Sequence, residues 1–391
     1  MRDLSPESKA LLDDLKRSAY GPLSAATAMP AGIYHDPDIL ELERQRIFAS
    51  DWVCPGLAAD IPDPGDYLTY SVADQPVFCV RGKDGEIRTL SNVCRHRMML
   101  LLEDRGRTKR VVCPYHAWTY DLDGALIGAG HMDKSDGFDK KDHCLPEIRT
   151  EIWNGWIYIT LNPDAAPVAD ILKPLDDMVE GYQMANYVPV ILTDHVWNTN
   201  WKLLTENFME GYHLPVAHKA TVGLWMPMSS VNFPDKAHDG FTYQTFIKDE
   251  NAIYGRAPSG NARLEGHWRH TTVMPTVFPS HMYILAPDHV WYLSLRPKGT
   301  DQVHVRFGVA IAPEVHASLD NPIDWVADLA AFFDKVNAED RFVVEGICEG
   351  SRAPDAQSGP LSWLEHEIHD FMRYLSSRLT PESAKQKQAA E

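Results

Sequence analysis

The sequence predicts an α+β chain in which a small all-β domain precedes a larger domain mixing helices and strands, and three observations carry that prediction. The first is size: 391 residues, 44% apolar and 24% charged, supply two or three cores at about 150 residues per domain. The second is the texture of residues 51–163, where β-rich runs at 66–72, 76–80, 87–91, 111–113 and 152–160 are broken by Asp-Pro, Pro-Gly, Asp-Gly and Asn-Gly turns. The third is the change after a Pro- and Ala-containing stretch at 162–168. Helical spacing around 201–213 is followed by β-rich segments at 281–295 and 303–312 and then by two long helical patterns.

At the N-terminus, residues 5–18 have helical spacing, with Leu11, Leu12 and Leu15 on one side and Ser5 or Ser8 as caps. Residues 1–50 therefore read as a helical segment packed on the second domain, 51–163 as the all-β domain, 164–380 as the mixed domain and 381–391 as a polar tail that frays.

Composition narrows the function. With 37 basic against 55 acidic side chains, a net charge of −18 repels phosphate backbones and anionic headgroups, so nucleic acid and membrane are not expected partners. The first residues, MRDLSPESKALLDDLKRSAYG, lack the apolar stretch of a signal peptide, and no run of about 18 apolar residues follows anywhere. A cytoplasmic protein is expected. Six cysteines, two of them closely spaced with histidines, favour metal ligation over a disulfide framework. Cys54, Cys79, Cys144 and Cys348 read as small buried apolar side chains.

In VCRHRMMLLLEDRGRTKRVVCPYHAW, Cys94 and His96 are separated by one residue, sixteen residues follow, and Cys113 and His116 are separated by two. Each half is a Cys-plus-His hook at the tip of a turn. Two thiolates suit one iron of a 2Fe-2S cluster and two neutral imidazoles suit the other, an exchange that raises the reduction potential above that of an all-thiolate cluster. The competing reading is a structural zinc site, although zinc fingers pair Cys with Cys and His with His, whereas each hook here mixes them.

A second candidate lies in NWKLLTENFMEGYHLPVAH, residues 200–218. Helical numbering sets Glu206, Glu210 and His213 along one stripe, and Pro215 ends the helix so that His218 swings back towards the same point. A solvated polar face is the plainer alternative. Further on, Trp325, Leu329, Phe332, Val336, Asp340, Val343 and Ile347 form an apolar stripe broken only by Asp340. A carboxylate on a buried face is costly unless paired or metal-bound, which makes Asp340 a third ligand beside His213 and His218. Two histidines and a carboxylate on one face of an iron leave positions open for dioxygen.

Other patterns are declined. In EHEIH, residues 365–369, the histidines have the wrong spacing for a zinc protease. His267 and His270 lack a third ligand and read as a loop, and Gly124, Gly128 and Gly130 read as turns rather than a dinucleotide fingerprint. With no site for NADH or flavin, electrons must come from a separate reductase.

The four hook residues, the Asn-Trp-Lys…Glu-Asn-Phe…Glu-x-x-His-x4-His run and the pair Glu339-Asp340 together resemble the Rieske non-haem iron oxygenases, specifically the catalytic α subunits of ring-hydroxylating and N-demethylating enzymes. Met98 departs from the pattern, since many such loops carry glycine there. The resemblance implies a Rieske 2Fe-2S domain at 51–163, a catalytic mononuclear Fe(II) domain of helix-grip fold with a twisted antiparallel sheet at 164–380, and a head-to-tail homotrimer. It implies that Glu210 bridges His213 to His116 of the neighbouring subunit, with Glu standing where Asp is commoner, and that Asn207 is the amide beside the iron. Asn207 as a plain cap or backbone partner remains the alternative. It also implies an NAD(P)H-dependent reductase as partner, with dioxygen and a small molecule as substrates.

The Tyr-His-x-Pro-x-x-His version of the motif looks most like the branch acting on choline, glycine betaine, carnitine and proline betaine. There a methyl or methylene group is hydroxylated, and an N-hydroxymethyl product collapses to formaldehyde and a demethylated amine. Trp225, Phe241, Tyr243, Trp268, Tyr283 and Trp291 could form a cation-accepting cage or could simply be core. The alternatives are an oxygenase of an aromatic acid, an oxygenase of an ectoine-type cyclic solute, and an electron carrier without mononuclear iron.

Overall fold

Asn154 and Gly155, both with positive φ (47° and 86°), make the tight turn whose twist suits a two-residue hairpin. The run expected as one strand at 152–160 is thus two, β9 (Glu147–Trp153) and β10 (Trp156–Thr160), paired antiparallel. The same logic builds the rest of the unit Phe48–Asp170. Its other strands are β1 (Val53–Leu57), β2 (Asp66–Val72), β3 (Gln75–Arg81), β4 (Ile87–Ser91), β5 (Arg105–Arg107), β6 (Val111–Val112), β7 (Thr119–Tyr120) and β8 (Leu126–Gly128). They form a seven-stranded sheet, ordered β1-β10-β9-β4-β3-β2-β5, and a small sheet, β6-β7-β8. Phe78, Leu90, Trp118, Tyr120 and Leu145 make the core beneath the two hooks, and Cys94 and Cys113 are part of it.

The computed structural model describes residues 4–251 and 254–380, so the polar tail expected from 381 lies outside the described residues. The second unit joins the residues up to Ile47 with those from Ile171 onward. Its strands are β11 (Val188–Trp197), β12 (Val231–Asn232), β13 (Phe241–Ile247), β14 (Thr271–Val277), β15 (His281–Leu285), β16 (His289–Pro297) and β17 (Val303–Ile311). They form an antiparallel sheet, ordered β11-β17-β16-β15-β14-β13-β12. The helices in chain order are α1 (Pro6–Tyr20), α2 (Pro37–Glu43), α3 (Val168–Ile171) at the passage between units, α4 (Lys173–Val179), α5 (Trp201–Met209), α6 (Leu214–Ala217), α7 (Pro313–Ala317), α8 (Pro322–Gly350) and α9 (His366–Leu379). No helix among the described residues is long and apolar enough to cross a membrane.

Ser5 caps α1 by accepting from the Ser8 amide, and Leu12, Leu15 and Ala19 are buried on the side packed against α9. Leu11, expected with them, is only half-buried.

The start of α5 is fixed by buried partners from several elements. Asn200 caps the helix through the Lys202 amide and donates to the carbonyls of Tyr34 and Thr300. Glu43 accepts from Trp201 Nε1 and Lys202 Nζ, each at 2.7 Å, with the ion pair fully buried. Removing either charge would strand the other in the core, at a cost of about 3–5 kcal/mol. The Asn-Trp-Lys run therefore sets the depth and rotation of the helix that leads into the candidate metal site.

Several expectations need correction. The buried positions of α8 are Phe333, Val336, Val344 and Cys348, so its inner stripe is rotated from the expected one; Ile347 is exposed and Trp325, Leu329, Phe332 and Val343 are intermediate. The apolar stripe is not wholly core, because α8 keeps part of it on the surface. Cys144 is exposed rather than buried. His267 and His270 fall in a 3-10 turn, Gly266–His270, rather than an irregular loop.

Candidate metal centres

The hooks of the first unit sort their donors by depth. Cys94 and Cys113 are buried while His96 and His116 are exposed, because the thiolates sit at the loop bases on the core and the imidazoles at the tips. Met98 (φ 55°) and Ala117 (φ 57°) hold the loops in the left-handed region, a conformation natural to glycine. Tyr120 lies beneath, its hydroxyl accepting from the Arg95 amide at 3.0 Å and standing 3.4 Å from Cys94 Sγ.

His96 stacks on Trp118 at 4.8 Å, and its ring centroid is 4.8 Å from that of His116. Desolvation, aided by His116 and Arg97, lowers the His96 pKa and favours the neutral ring that a metal needs. Burial raises Cys113, although the amides of Tyr115 and His116 pull its sulfur the other way. Two buried sulfurs and two outward imidazoles are a donor set fit for a cluster with one thiolate-bound and one imidazole-bound iron.

In the second unit, His213, His218 and Asp340 bring one ligand atom each within 4.8 Å of one another. The helical stripe expected to do this does not exist as drawn. α5 stops at Met209, and Glu210 is extended (φ −119°, ψ 139°). Gly211 and Tyr212 then turn the chain, so that His213 precedes the short α6 and His218 follows it. Glu206, expected beside Glu210, instead accepts from the Tyr34 hydroxyl at 2.9 and 3.1 Å. Burial pushes its carboxyl up to about 8, against the opposing pull of Tyr34 and Lys202.

Carboxylates orient both rings. Nδ1 of His213 donates to Glu210 Oε1 at 2.6 Å, and Nδ1 of His218 donates to Glu339 Oε2 at 2.7 Å. The two Nε2 atoms then face Asp340 Oδ1, at 3.6 Å and 2.9 Å. This arrangement fixes the tautomer that leaves Nε2 free for a metal. Glu210 also accepts from the His213 amide, and Thr221 donates to Glu339.

Burial opposes charge on His213, yet Asp340 and Glu210 outweigh it and push the ring up to about 10; His218 is raised as well. Burial alone would raise Asp340, but the two imidazoles lower it. Three carboxylates around two rings thus form a site short of positive charge, which a divalent first-row metal supplies. Glu339 and Thr221 were not singled out from sequence as ring-orienting groups, because their partner lies more than a hundred residues away.

A narrow cavity of about 70 Å³ opens over these three residues. Asn207, buried on α5, lines it, as do Trp225 and Trp291. Phe241, Tyr243, Trp268 and Tyr283 are not among its described lining residues. Phe208, Tyr254, Phe332 and Phe333 take their place. Trp225 lies between Tyr254 (4.3 Å) and Phe332 (5.1 Å), both stacked on it, and Trp291 meets Phe208 edge-on at 5.7 Å.

Residues 51–146 match the Rieske 2Fe-2S domain family, and residues 184–381 match the ring hydroxylating alpha subunit (catalytic domain) family. Over 96% of this chain and 93% of the relative, 33% of residues are identical to the glycine betaine monooxygenase oxygenase subunit of Pseudomonas aeruginosa. The carnitine monooxygenase oxygenase subunit of Acinetobacter baumannii is 33% identical, over 66% of this chain and 70% of its own. The crystal structure of the quaternary ammonium Rieske monooxygenase CntA with the inhibitor MMV12 shares the fold. Its TM-score is 0.79 at 22% identity, covering 97% of this chain and 100% of that one. With a Rieske domain in one unit and a ring-hydroxylating catalytic domain in the other, the chain belongs to the Rieske non-haem iron oxygenases, as a reductase-dependent oxygenase subunit carrying a 2Fe-2S cluster and a mononuclear non-haem iron.

Proposed function

We propose that this chain hydroxylates or N-demethylates a small betaine-like quaternary ammonium compound. The observation that carries the reading is the pocket: a narrow cavity walled by Phe208, Trp225, Tyr254, Trp291, Phe332 and Phe333 that also takes in His213, His218 and Asp340. Faces of aromatic rings attract a methylated ammonium, which cannot donate a strong hydrogen bond. The likeness to a glycine betaine oxygenase over nearly the whole chain supports the same reading.

In this proposal Cys94 and Cys113 hold one iron of the cluster, His96 and His116 the other, and His213, His218 and Asp340 hold the mononuclear iron. The irons supply one-electron transfer and dioxygen activation. Glu210 and Glu339 fix the two imidazoles. Asn207 presents an amide at the pocket wall, and the aromatic slot orients the methyl group and excludes water. Two electrons from the reductase and two protons carry the second oxygen atom to water; the hydroxymethyl group then loses its O–H proton and leaves as formaldehyde, its C–N bonding pair staying on the nitrogen of the demethylated amine.

The chain is further proposed to work as a head-to-tail homotrimer, in which Glu210 links His213 to His116 of the next copy. Exposed apolar side chains flank both ends of that link: Met98 (79% exposed) and Tyr115 beside the outward imidazoles, and Val216 (79%) and Phe342 (82%) beside the metal triad. Apolar side chains exposed beside both ends of the link support a contact there. A cytoplasmic location fits this reading, since an NAD(P)H-dependent reductase draws its nicotinamide there.

The test is formaldehyde release by the iron-loaded protein with a working reductase, NADH and oxygen. Glycine betaine and carnitine are expected to give formaldehyde in step with NADH consumption. Background formaldehyde with both, together with a hydroxylated product from benzoate, would replace this reading with that of an aromatic-acid oxygenase.

A further inference from the structure

We propose that Lys248 binds the carboxylate of the substrate, so that the pocket selects zwitterions over quaternary ammonium compounds without an anionic tail. This rests on the betaine reading of the same pocket and adds which end of the molecule goes where.

The sheet register places Lys248. Val273 pairs with Leu285 and Ile284 with Trp291, so Met274, Ile284 and Trp291 form one inward row across β14, β15 and β16. Thr272, Ala286 and His289 form the next row towards the sheet end, and all six line the cavity. Lys248 extends β13 one residue past its end, its amide bonded to the His270 carbonyl at 3.0 Å. Its side chain closes the same end of the cavity, as the one lysine or arginine among the described lining residues.

α8 gives the cavity a wall that runs from Phe332, on the Lys248 side, to Asp340. The Lys248 ammonium reaches the Tyr254 carbonyl at 3.5 Å, Tyr254 stacks on Trp225, and Trp225 on Phe332. Phe332 stands eight residues before Asp340 on α8, about 12 Å along a helix axis. Glycine at 255 is what lets the ammonium lie there: with φ 68°, a Cβ would fall on Lys248 Nζ.

The charges are arranged as a dipole. Glu210, Glu339 and Asp340 gather at one end, so that even a divalent metal leaves that end short of positive charge, and Lys248 stands at the other. Asp288 is the one acid whose charge Lys248 feels, and it is already engaged by His289 Nδ1 (2.8 Å) and the Gly255 amide (2.9 Å). Desolvation lowers the pKa of Lys248, as expected of an ammonium with no carboxylate in contact among the described residues. A substrate carboxylate would supply that contact, while its methylated ammonium lies in the aromatic slot towards the metal.

The test is anaerobic calorimetry on the cluster- and iron-loaded protein, with glycine betaine and with choline, which carries the same ammonium and a hydroxyl in place of the carboxylate. Lys248→Met should weaken glycine betaine about 10- to 100-fold, the range for a hydrogen-bonded charge pair, and leave choline unchanged. Lys248→Arg should keep glycine betaine within about fivefold of the parent, since the charge remains. KM should follow the same pattern, with kcat little changed. If the parent binds and demethylates glycine betaine but Lys248→Met binds it equally well, or loses both ligands alike, the role of Lys248 is overturned and the betaine reading stands. If the parent binds no betaine at all, both fall.

Discussion

Replacing Asp340 with alanine is expected to abolish turnover while leaving the visible absorption of the cluster unchanged. Both Nε2 atoms of the triad converge on Asp340 Oδ1, so the substitution removes the only anionic donor among the three and leaves two neutral imidazoles to hold a cation. Iron should fall from about three to about two atoms per chain, the cluster's share being two. The fold should survive, because α8 is anchored by Phe333, Val336, Val344 and Cys348 rather than by Asp340. Full activity in the variant, or three irons per chain, would remove Asp340 from the triad. About two irons per chain in the parent, rather than three, would instead favour an electron carrier whose second unit only docks.

The second large effect is expected at Glu210. Its carboxylate accepts from both the backbone and Nδ1 of His213, and a glutamine can still accept from Nδ1 through its carbonyl oxygen while losing the charge. Glu210→Gln should therefore retain iron and substrate affinity but lower turnover by about 10- to 100-fold, the usual cost of altering a carboxylate that orients a metal-bound histidine. The place of the loss is diagnostic. With substrate and oxygen present, stopped-flow absorbance should show the reduced cluster reoxidising more slowly, by the same factor. An unchanged reoxidation rate with lost turnover would confine Glu210 to holding His213.

The legible parts of the sequence were those with local signals. Turn pairs announced the β-rich unit, and the two Cys-plus-His hooks announced its metal chemistry, because spacing along the chain and spacing in space nearly coincide in a tight loop. His213, His218 and Asp340 were also readable, but for a partly mistaken reason. The uninterrupted helix drawn from Trp201 to His213 breaks at Met209, and it is a turn, not helical periodicity, that brings the histidines together. Asp340 drew notice as a polar break in an apolar stripe, although that stripe is only partly buried.

What stayed hidden depends on long-range register. Glu339 acts on a ring 121 positions earlier, and Lys248 matters only because four strand ends align. The cage aromatics divide in the same way. Trp225 and Trp291 reach the pocket and Tyr283 does not, since alternation along β15 puts Ile284 on the pocket face. Alternation alone cannot say which face of a fully buried strand meets the substrate.

In the proposed assembly a cluster in one copy of the chain feeds the iron of another, and the electrons end in removal of a methyl group. Mixed oligomers measure this directly. One chain carries Asp340→Ala, so that only its cluster works; the other carries Cys94→Ser, so that only its iron works. Each alone should release no formaldehyde from glycine betaine. Assembled together in equal amounts in a head-to-tail ring, a good cluster precedes a good iron at about one junction in four, so about a quarter of the parent activity per chain should return. No recovery in mixed oligomers shown to contain both chains would contradict transfer between subunits.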